Sequence, residues 1–422
     1  MRELRDTPSR RNRGGSVRQR QKNNAIAHIS RGWPSWAVEQ RTRGLGRPGN
    51  ECYRREMVKA YLHCPRLINW LDHHHTNGYV CEFHADRRHR PARRCPACAF
   101  KKLAKAYWTR GSTAATIDQK LLEMDQAGFW HGLPSPWTAS TTDQEDASQY
   151  AAHLATNWAH CNRANSKLHA WHAQADAMFK LDYVYETTCS ACHRTTTSSL
   201  HQDMHWPLRL PPSGRTTLDA AIDADMTDHV DKYCPACSPT TCVPHTRTKR
   251  LHAGPEILTI QLLIYALDPT TYSPRKTNTK LVFSPTLDLS RHLHLPQLPS
   301  SPSSPSPSSP SPSSPSPSSP SPSPSPQLTY RLAAVTSHAG PSTHAGHYMG
   351  QLRSASAICK TNDAAVVRSS RRDFTQWPQV WPGDGASGKT SKRKGEKKKA
   401  AGAGSSETFT PYILTWVMSR GN

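Results

Sequence analysis

In the first part of the chain, apolar residues recur at the three- and four-residue spacing of amphipathic helices. Residues 56–71 show this pattern until Pro65 interrupts it, so we expect a helix that ends near Leu62 and a further helical turn after the break. Residues 100–108 and 146–158 have a similar texture and are also predicted to be helices.

The second part, after Leu181, carries short runs rich in β-branched and aromatic residues, which are typical of strands. The predicted strands are residues 183–185, 205–210, 257–266, 280–283, 330–338 and 412–418. Helices followed by strands favour an α+β fold, because a parallel α/β sheet would alternate the two along the chain.

Three segments show neither pattern. Residues 1–43 are rich in Arg, Gly, Ser and Asn and are predicted to form a disordered basic arm, with order beginning near Gly44. Residues 299–326 are almost pure Ser-Pro repeat and should be extended and solvated. Residues 381–407 contain GKTSKRKGEKKKAAGAGSS and are expected to be a flexible basic loop. Because the last two lie between predicted strands, we interpret them as insertions in one domain spanning residues 44–420.

The composition sets broad limits on the class of protein. The chain has 422 residues, of which 35% are hydrophobic, so it is long enough to bury a sizeable core. The longest apolar stretch, residues 257–267, is too short to span a membrane, and the N-terminus shows no apolar segment of a secretory signal. The 12 Cys residues are therefore expected to be reduced, and closely spaced pairs favour metal ligands over disulfides.

The charge is strongly basic. There are 54 Lys and Arg residues against 31 Asp and Glu residues, a net charge of +23 that suggests a nucleic-acid-binding protein. Much of this charge lies in the basic arm, near Cys95 and in the lysine run of residues 389–399, so it indicates non-specific nucleic-acid contacts more than the main function. The run KTSKRKGEKKK resembles a nuclear localisation signal, although a solvated charge run is the alternative. The predicted location is nuclear and/or cytoplasmic, without a membrane.

Two CxxC pairs predict a metal site. Cys189 and Cys192 form one pair, and Cys234 and Cys237 form the other. Together they offer four thiolates to one tetrahedral Zn²⁺ ion, and the strand-forming residues around them fit a zinc ribbon. The alternative is four unrelated buried cysteines.

A second set of residues has weaker spacing. Cys81 and His84 form a CxxH pair, which Cys95 and Cys98 follow as a CxxC pair. The four could form a Cys3His zinc site. The alternative is a chance CxxC pair beside a basic loop.

Candidate catalytic residues lie at the two ends of the predicted domain. A Gly- and Pro-rich segment leads to Cys52, which is expected to open a helix, and the N–H groups and dipole at a helix N-terminus stabilise a thiolate. His347 follows Gly346 near the other end, and Asn362 comes shortly after it. Cys, His and Asn in this order form the papain-type layout, in which the imidazole deprotonates the thiol and the amide orients the imidazole.

These segments together resemble the ubiquitin-specific protease (USP) family of deubiquitinating cysteine peptidases, of which the chain looks like a divergent member. GLGRPGNECYRREMVK is similar to the family's cysteine box, and YRLAAVTSHAGPSTHAGHY with NDAAVV is similar to its histidine box. QEDASQY resembles a segment that lies between the two boxes, and the paired CxxC motifs match the zinc ribbon. The resemblance covers most of residues 44–420.

The resemblance implies a papain-like cysteine peptidase fold with a thumb (about residues 44–180), zinc-ribbon fingers (about 181–250) and a palm (about 251–420). Cys52 would be the nucleophile and His347 the general base. Asn362 would orient the imidazole, with Asp363 as the neighbouring candidate.

The same resemblance implies a substrate. The enzyme would bind ubiquitin and ubiquitinated proteins and cleave the isopeptide bond after the C-terminal glycine of ubiquitin through a thioester on Cys52. Gln144 and Asp146 would bind the ubiquitin tail, and the zinc would be structural. The second zinc set resembles an extra site in the histone-deubiquitinating branch.

The cysteine box departs from the family pattern near the nucleophile. Arg47 stands where the family usually has an Asn that donates to the oxyanion, and Glu51, Arg55 and Lys59 replace uncharged residues. Unusual charges are therefore expected beside Cys52. Three hypotheses follow: an active deubiquitinase, a catalytically weak or inactive ubiquitin-binding scaffold of the same fold, and a zinc-dependent nucleic-acid-binding protein.

Overall fold

The computed structural model describes residues 14–37, 41–46, 49–72, 95–129, 133, 135–138, 143–161, 168–268, 270–277, 279–294, 327–380 and 408–419. The two predicted insertions lie outside these residues, and so do Arg47, Cys81 and His84.

Helices occupy the first part of the described chain, as the apolar spacing predicts. They are α1 (Gly14–Ala25), α2 (Cys52–Leu62), α3 (Pro65–Asp72), α4 (Pro96–Trp108), α5 (Ala114–Gly128), α6 (Ala147–His160) and α7 (Leu168–Phe179). The break at Pro65 is confirmed, because α2 ends at Leu62 and Pro65 is the first residue of α3. The sequence analysis did not predict α5 and α7.

The strands begin at Leu181, where the sequence texture changes. Those of the first group are β1 (Leu181–Cys189), β2 (Thr195–Thr197), β3 (His201–Asp203), β4 (Trp206–Arg209), β5 (Arg215–Thr217), β6 (Thr227–Cys234) and β7 (Ser238–Ala253), with helix α8 (Leu218–Asp225) between β5 and β6. Four of them form an antiparallel sheet in the order β2-β1-β7-β6, and β3 pairs with another part of β1. We call this sheet the fingers.

The remaining strands are β8 (Ile257–Leu263), β9 (Tyr265–Leu267), β10 (Pro274–Lys276), β11 (Lys280–Val282), β12 (Thr286–Asp288), β13 (Thr329–Ser342), β14 (Ala345–Arg353), β15 (Ile358–Asn362), β16 (Ala365–Ser369), β17 (Gln379–Val380) and β18 (Thr408–Ser419), with a short helix α9 (Arg371–Phe374). Most of them belong to a larger sheet, which we call the palm and whose main path runs β16-β15-β14-β13-β18-β8-β4. Strands β9 and β10 form a separate hairpin, and β11 pairs in parallel with β5. The predicted α+β organisation is confirmed.

Helix α2 packs against β13 and β14, and this contact holds the thumb helices on the palm. One contact joins two buried side chains: the hydroxyl of Thr336 on β13 donates to the sulfur atom of Met57 on the helix at 3.7 Å. The core is continuous from the helices through the palm. Among the described residues, no helix combines the length and the apolar character that a membrane crossing requires.

The expectation of a disordered arm over residues 1–43 is wrong for its described part. Helix α1 is polar, but it is anchored to distant strands: Arg18 and Lys22 both contact the fully buried carboxylate of Asp182, at 2.6 and 2.9 Å. The side chain of Gln19 accepts from the backbone N–H of Gly254 at 2.7 Å. These partners lie far away in the sequence, so composition alone did not reveal them.

The segment after α1 is also anchored. Ile26 and Ile29 are buried in the core, and the guanidinium of Arg31 donates to both carboxylate oxygens of Glu256, which begins the run into β8. Burial lowers the pKa of Lys22 in α1 to about 8, although Asp182 opposes this shift. Residues 14–37 of the arm therefore form a packed element that contacts the helices and the two sheets.

Candidate active site

Cys52 is the first residue of α2, and its side chain is almost buried. The helical hydrogen bonds begin only when the N–H of Arg55 donates to the carbonyl of Glu51 at 3.1 Å. The N–H groups of the first turn therefore have no acceptor within the helix. Cys52 lies at this positive end of the helix dipole, where an anion is stabilised.

His347 is brought to Cys52 by β14, which packs against α2. Its Nε2 donates to Oδ1 of Asn362 at 2.6 Å, and its side chain also contacts that of Cys52. Burial disfavours the imidazolium, but the hydrogen bonds to Cys52 and Asn362, with the charge of Asp363 nearby, outweigh it and raise the pKa of His347 to about 9. The site therefore stabilises an imidazolium beside the nucleophile.

The pairing of β14 with β15 explains why His347 and Asn362 meet. Gly350 lies opposite Thr361, so His347 and Asn362 emerge at the same end of the two strands. The carboxylate of Asp363 is further away, 3.9 Å from Nε2 of His347, and its side chain is 42% exposed. The direct hydrogen bond to the imidazole is thus made by Asn362, and Asp363 adds charge.

Glycine is required at Gly346, the residue before His347. Its φ of +145° lies in a region that L side chains rarely adopt. A Cβ atom there would also lie 2.1 Å from the carbonyl oxygen of Ala339 on the neighbouring strand. Gly346 therefore lets the histidine box turn tightly beside β13.

Gly44 and Gly46 of the cysteine box allow a different close approach of two backbone segments. The backbone N–H of Leu45 donates to the carbonyl oxygen of Asp363 at 3.0 Å. A Cβ atom at Gly44 would lie 2.1 Å from the carbonyl oxygen of Ala364, and one at Gly46 would lie 2.7 Å from its Cβ atom. The two glycines allow the approach to the nucleophile to lie directly on the turn that follows Asn362.

The unusual charges of the cysteine box are paired with one another. The carboxylate of Glu51 contacts Arg54 at 2.5 Å and also contacts Arg55. Both guanidiniums reach Asp125 on α5, at 3.6 Å from Arg54 and 3.0 Å from Arg55. All four side chains are at least nine-tenths buried. We call Glu51, Arg54, Arg55 and Asp125 the buried quartet.

Lys59 is paired in the next turn of α2. Its ammonium lies 2.6 Å from Oε1 of Glu56, and the hydroxyl of Thr361 donates to Oε2 at 3.0 Å. Burial raises the pKa of Glu56, while Lys59 and Thr361 act in the opposite direction. Lys59 also donates to the carbonyl of Asp363 at 3.3 Å, so it ties the helix to the β15–β16 turn.

Gln144 and Asp146 lie at the start of α6, against the palm. Asp146 is the N-cap residue: one carboxylate oxygen accepts from the N–H of Ser148 at 2.7 Å, and the other accepts from the hydroxyl of Tyr412 at 2.6 Å. The side-chain amide of Gln144 lies 3.2 Å from Nε2 of His338. Both residues are more than nine-tenths buried, and their side chains already have partners within the chain.

The residues of the two CxxC pairs meet at one end of the fingers. The four sulfur atoms of Cys189, Cys192, Cys234 and Cys237 lie within 4.8 Å of one another, and two of the separations are 3.6 Å. Tetrahedral binding at about 2.3 Å sets sulfur atoms about 3.8 Å apart, so the spacing fits one metal ion. Backbone N–H groups lower the pKa of Cys234 to about 6, which favours a thiolate ligand. The cluster can therefore hold a metal ion.

Only half of the second predicted metal set can be described. Cys81 and His84 lie outside the described residues. Cys95 is buried and is the N-cap of α4, where its sulfur accepts from the N–H of Cys98 at 3.5 Å. The second metal set stays a prediction.

Sequence reasoning missed two residues that support the site. Asp125 belongs to a helix that was not predicted, and nothing near it in the sequence shows that it pairs with Arg54 and Arg55. Tyr412 was read only as part of a strand, although its hydroxyl holds Asp146. Alternation along β18 could have indicated which of its side chains face the thumb, but not which residue they meet.

The chain is similar to known ubiquitin hydrolases over most of its length. The family model described as "Ubiquitin carboxyl-terminal hydrolase" matches residues 43–416. "Ubiquitin carboxyl-terminal hydrolase 36" of Drosophila simulans is 23% identical over 318 residues, which are 72% of this chain and 27% of the relative. "Ubiquitin carboxyl-terminal hydrolase 26" of Arabidopsis thaliana is 24% identical over 181 residues, which are 42% of this chain and 14% of the relative. The chain thus spans about a quarter or less of the length of these curated relatives.

Solved structures share the fold. A chain of the SAGA Ubp8/Sgf11/Sus1/Sgf73 DUB module bound to ubiquitin aldehyde matches with a TM-score of 0.62 at 14% identity, covering 92% of this chain and 72% of that chain. A chain of the same module bound to monoubiquitin matches with a TM-score of 0.63 at 13% identity, covering 96% of this chain and 75% of that chain. The papain-like arrangement of thumb, palm and fingers is therefore confirmed. Since the family model covers most of the chain, the protein belongs to the ubiquitin carboxyl-terminal hydrolase family.

Proposed function

We propose that the chain is a deubiquitinating cysteine hydrolase that cleaves the isopeptide bond after the C-terminal glycine of ubiquitin. One observation carries the proposal: the imidazole of His347 hydrogen-bonds the side chain of Asn362 at 2.6 Å and contacts the side chain of Cys52, whose proximity helps to raise the pKa of His347. A thiol, an imidazole and an orienting amide in this order are the parts of a thioester mechanism. Family membership and the likeness to ubiquitin-bound structures support ubiquitin as the substrate.

The reaction proceeds in two acyl transfers. The Cys52 thiolate attacks the glycine carbonyl carbon, and the bond to the substrate lysine breaks as His347 gives its proton to the leaving amine. Water attacks the resulting thioester and gives one proton to His347. The C–S bond of the tetrahedral intermediate then breaks, which restores the Cys52 thiolate and releases the carboxylic acid of ubiquitin, and this acid loses its remaining proton to solvent. Asn362 keeps the imidazole oriented throughout, through the bond at 2.6 Å.

The negative charge on the oxygen atom of each tetrahedral intermediate requires hydrogen-bond donors. The backbone N–H groups at the start of α2 are adjacent to Cys52 and have no acceptor within the helix, and Arg47 occupies the family's oxyanion position in the sequence. We assign the α2 amides as donors and Arg47 as an additional cationic donor.

The ubiquitin tail would enter between the thumb and the palm, beside Gln144 and Asp146. The Asp146 carboxylate is held by Ser148 and Tyr412, so it is oriented before a substrate arrives. A buried, oriented carboxylate favours a cationic side chain through a charge-assisted hydrogen bond. Gln144, which His338 and the carbonyl of Thr343 contact, would present its amide to the tail backbone.

The metal of the four-cysteine cluster would be Zn²⁺ in a structural role. Four sulfur ligands with near-tetrahedral spacing suit zinc, and a full set of protein ligands leaves no open position for a substrate. Zinc would link the end of β1 to the β6–β7 hairpin and so fix the end of the fingers.

The basic segments would influence where the protein is located in the cell and which molecules it contacts outside the catalytic domain. The predicted nuclear and/or cytoplasmic location and the non-specific nucleic-acid contact both rest on segments outside the described residues. Specific nucleic-acid binding that is lost on chelation of the fingers would favour the nucleic-acid-binding alternative. Binding that survives chelation and weakens steeply with salt would be non-specific.

A ubiquitin probe with a C-terminal electrophile tests the proposed function. We expect the full chain to form a covalent adduct one ubiquitin heavier, and Cys52→Ala to form none. Cys242→Ser is a matched control, since Cys242 is exposed and outside the four-cysteine cluster, and its adduct should form normally. A chain that binds ubiquitin without forming the adduct would instead be an inactive scaffold.

A further inference from the structure

The buried quartet places four full charges in the interior beside the nucleophile. Each guanidinium touches both carboxylates, so the two positive and two negative charges cancel. Burying a charge without a partner is costly, whereas a closed set of this kind leaves no charge unpaired. The quartet can therefore persist only as a unit.

The quartet is joined directly to Cys52 through the backbone. Glu51 precedes Cys52, and its carbonyl accepts from the N–H of Arg55, which closes the helical turn that contains the nucleophile. The Glu51 side chain makes no capping hydrogen bond in the described structure and contacts Arg54 and Arg55 instead. Asp125 then fixes both guanidiniums to α5. The orientation of this turn thus depends on a residue that is distant in the sequence.

Cys52 also has other charged neighbours. His347 contacts it from β14, and Asp363 lies beside His347 at the end of β15. Glu56 and Lys59 form a neutral pair in the following turn of α2. Since that pair cancels and His347 and Asp363 belong to the catalytic group, the quartet is the set of charges among the described residues around this turn whose balance can be altered without touching the catalytic group. Arg47 lies outside the described residues.

We propose that Arg55 and Asp125 are positioning residues of the reaction, which set the charge balance and the orientation of the helical turn that carries Cys52. The inference rests on the proposed function, because it assigns a role in the reaction of Cys52. The negative charge of Glu51 on its own would oppose formation of the Cys52 thiolate, and the positive charges of Arg54 and Arg55 reverse that effect. Asp125 restores neutrality and keeps both guanidiniums in place.

The proposal predicts effects of opposite sign. Arg55→Gln leaves a net negative charge beside Cys52, and Asp125→Asn leaves a net positive charge. At an effective dielectric constant near 20 to 40, a charge roughly 10 Å away shifts a titration by on the order of one pH unit. The double variant is neutral again and should return close to the unaltered chain.

The experiment measures the rate of Cys52 alkylation by iodoacetamide against pH in the full chain, with the modified peptide quantified by mass spectrometry. We expect the pH midpoint to rise by about half to one unit in Arg55→Gln, to fall in Asp125→Asn and to recover in the double variant. Hydrolysis of a fluorogenic ubiquitin substrate at pH 7 should fall about tenfold in Arg55→Gln. Iodoacetamide requires no ubiquitin, so this measurement stands even where the proposed activity fails.

Further variants keep the test decisive where a single change unfolds the chain. Glu51→Gln is nearly isosteric and should lower the midpoint, and Asp125→Glu should restore the behaviour of the unaltered chain. Glu51→Thr, which restores the residue usual in the family, should lower the melting temperature, because it leaves Arg54 and Arg55 with one carboxylate. Midpoints that stay fixed, or that move in one direction in all folded variants, would overturn the proposal and leave the quartet a purely structural feature.

Discussion

The backbone N–H of Leu45 donates to the carbonyl oxygen of Asp363 at 3.0 Å, and this bond joins the two ends of the catalytic domain. Leu45 belongs to the approach to the nucleophile, and Asp363 follows the residue that orients the imidazole. The distance between Cys52 and His347 is thus fixed by backbone contact as well as by the packing of α2 on the palm.

Gly44 is the residue at which this contact is most sensitive. We expect Gly44→Ala to push the approach segment off the β15–β16 turn, because the new Cβ atom would lie 2.1 Å from the carbonyl oxygen of Ala364. Ubiquitin hydrolysis should fall roughly 10- to 100-fold, the cost of misplacing reacting groups by about 1 Å. Gly111→Ala is the matched control, because nothing lies within 4 Å of its Cβ position. Equal activity of the two variants would contradict this account.

Asn362 should control the alkaline limit of activity. The hydrogen bond from His347 to Asn362 helps to raise the imidazole pKa to about 9, so the imidazolium persists to alkaline pH. In Asn362→Ala this support is lost, and we expect the alkaline limb of the rate profile to move to lower pH while the rate falls by at least about tenfold. The pH dependence of kcat/KM on a fluorogenic ubiquitin substrate measures both effects.

Asp363→Asn is the comparison for that prediction. Its carboxylate lies 3.9 Å from the imidazole and is partly exposed, so its charge is screened by solvent. The alkaline limb should move less than in Asn362→Ala. A larger shift in Asp363→Asn would assign the orienting role to Asp363 instead.

The four-cysteine cluster should hold one zinc ion. We expect zinc analysis of the purified chain to lose one equivalent in Cys237→Ser and none in Cys242→Ser, which removes a nearby exposed thiol. A chelator should expose the fingers to proteolysis near Cys189 while the palm stays protected, because the palm belongs to the buried core that it shares with the helices. A loss of one further equivalent in Cys98→Ser would establish the second metal set. Equal zinc content in all variants would refute the cluster as a zinc site.

Asp182 should be essential to the attachment of α1. It is completely buried and pairs with Arg18 and Lys22, so Asp182→Ala leaves Lys22 buried without its carboxylate. We expect a loss of about 3–5 kcal/mol in the free energy of unfolding. The exposed pair of Asp228 with Arg247 offers a control, since Asp228→Ala should cost about 1 kcal/mol or less. Chemical denaturation of both variants decides between the two expectations.

Sequence reasoning succeeded where a pattern is local. The apolar spacing located α2, α3, α4 and α6, and the β-prone runs located β1, β8, β13 and β18. Each of these elements buries apolar residues in the core, so its sequence reports its own environment. Two CxxC pairs located the metal cluster for the same reason, because close spacing brings ligands together.

Pairing between residues that are distant in the sequence could not be predicted. Helix α1 has no apolar stripe and is stabilised by Asp182, so its composition indicated disorder. Glu51 and Arg55 looked like isolated charges beside the nucleophile, because their partner Asp125 lies on another helix. In both regions the prediction failed because buried charge pairs hold the structure together. The sequence shows each charged residue but not the distant residue that neutralises it.

The closed charge balance of the quartet has a consequence for how this protein can change over generations. A mutation at any one of its four positions leaves a buried charge without a partner, so neutral drift there has to pass through compensating pairs of substitutions. Residues 55 and 125, one arginine and one acid, should therefore be kept or lost together among the protein's near relatives. A sequence motif that scores each position separately would therefore miss this chain, although the charges on the helix that carries Cys52 are fully paired.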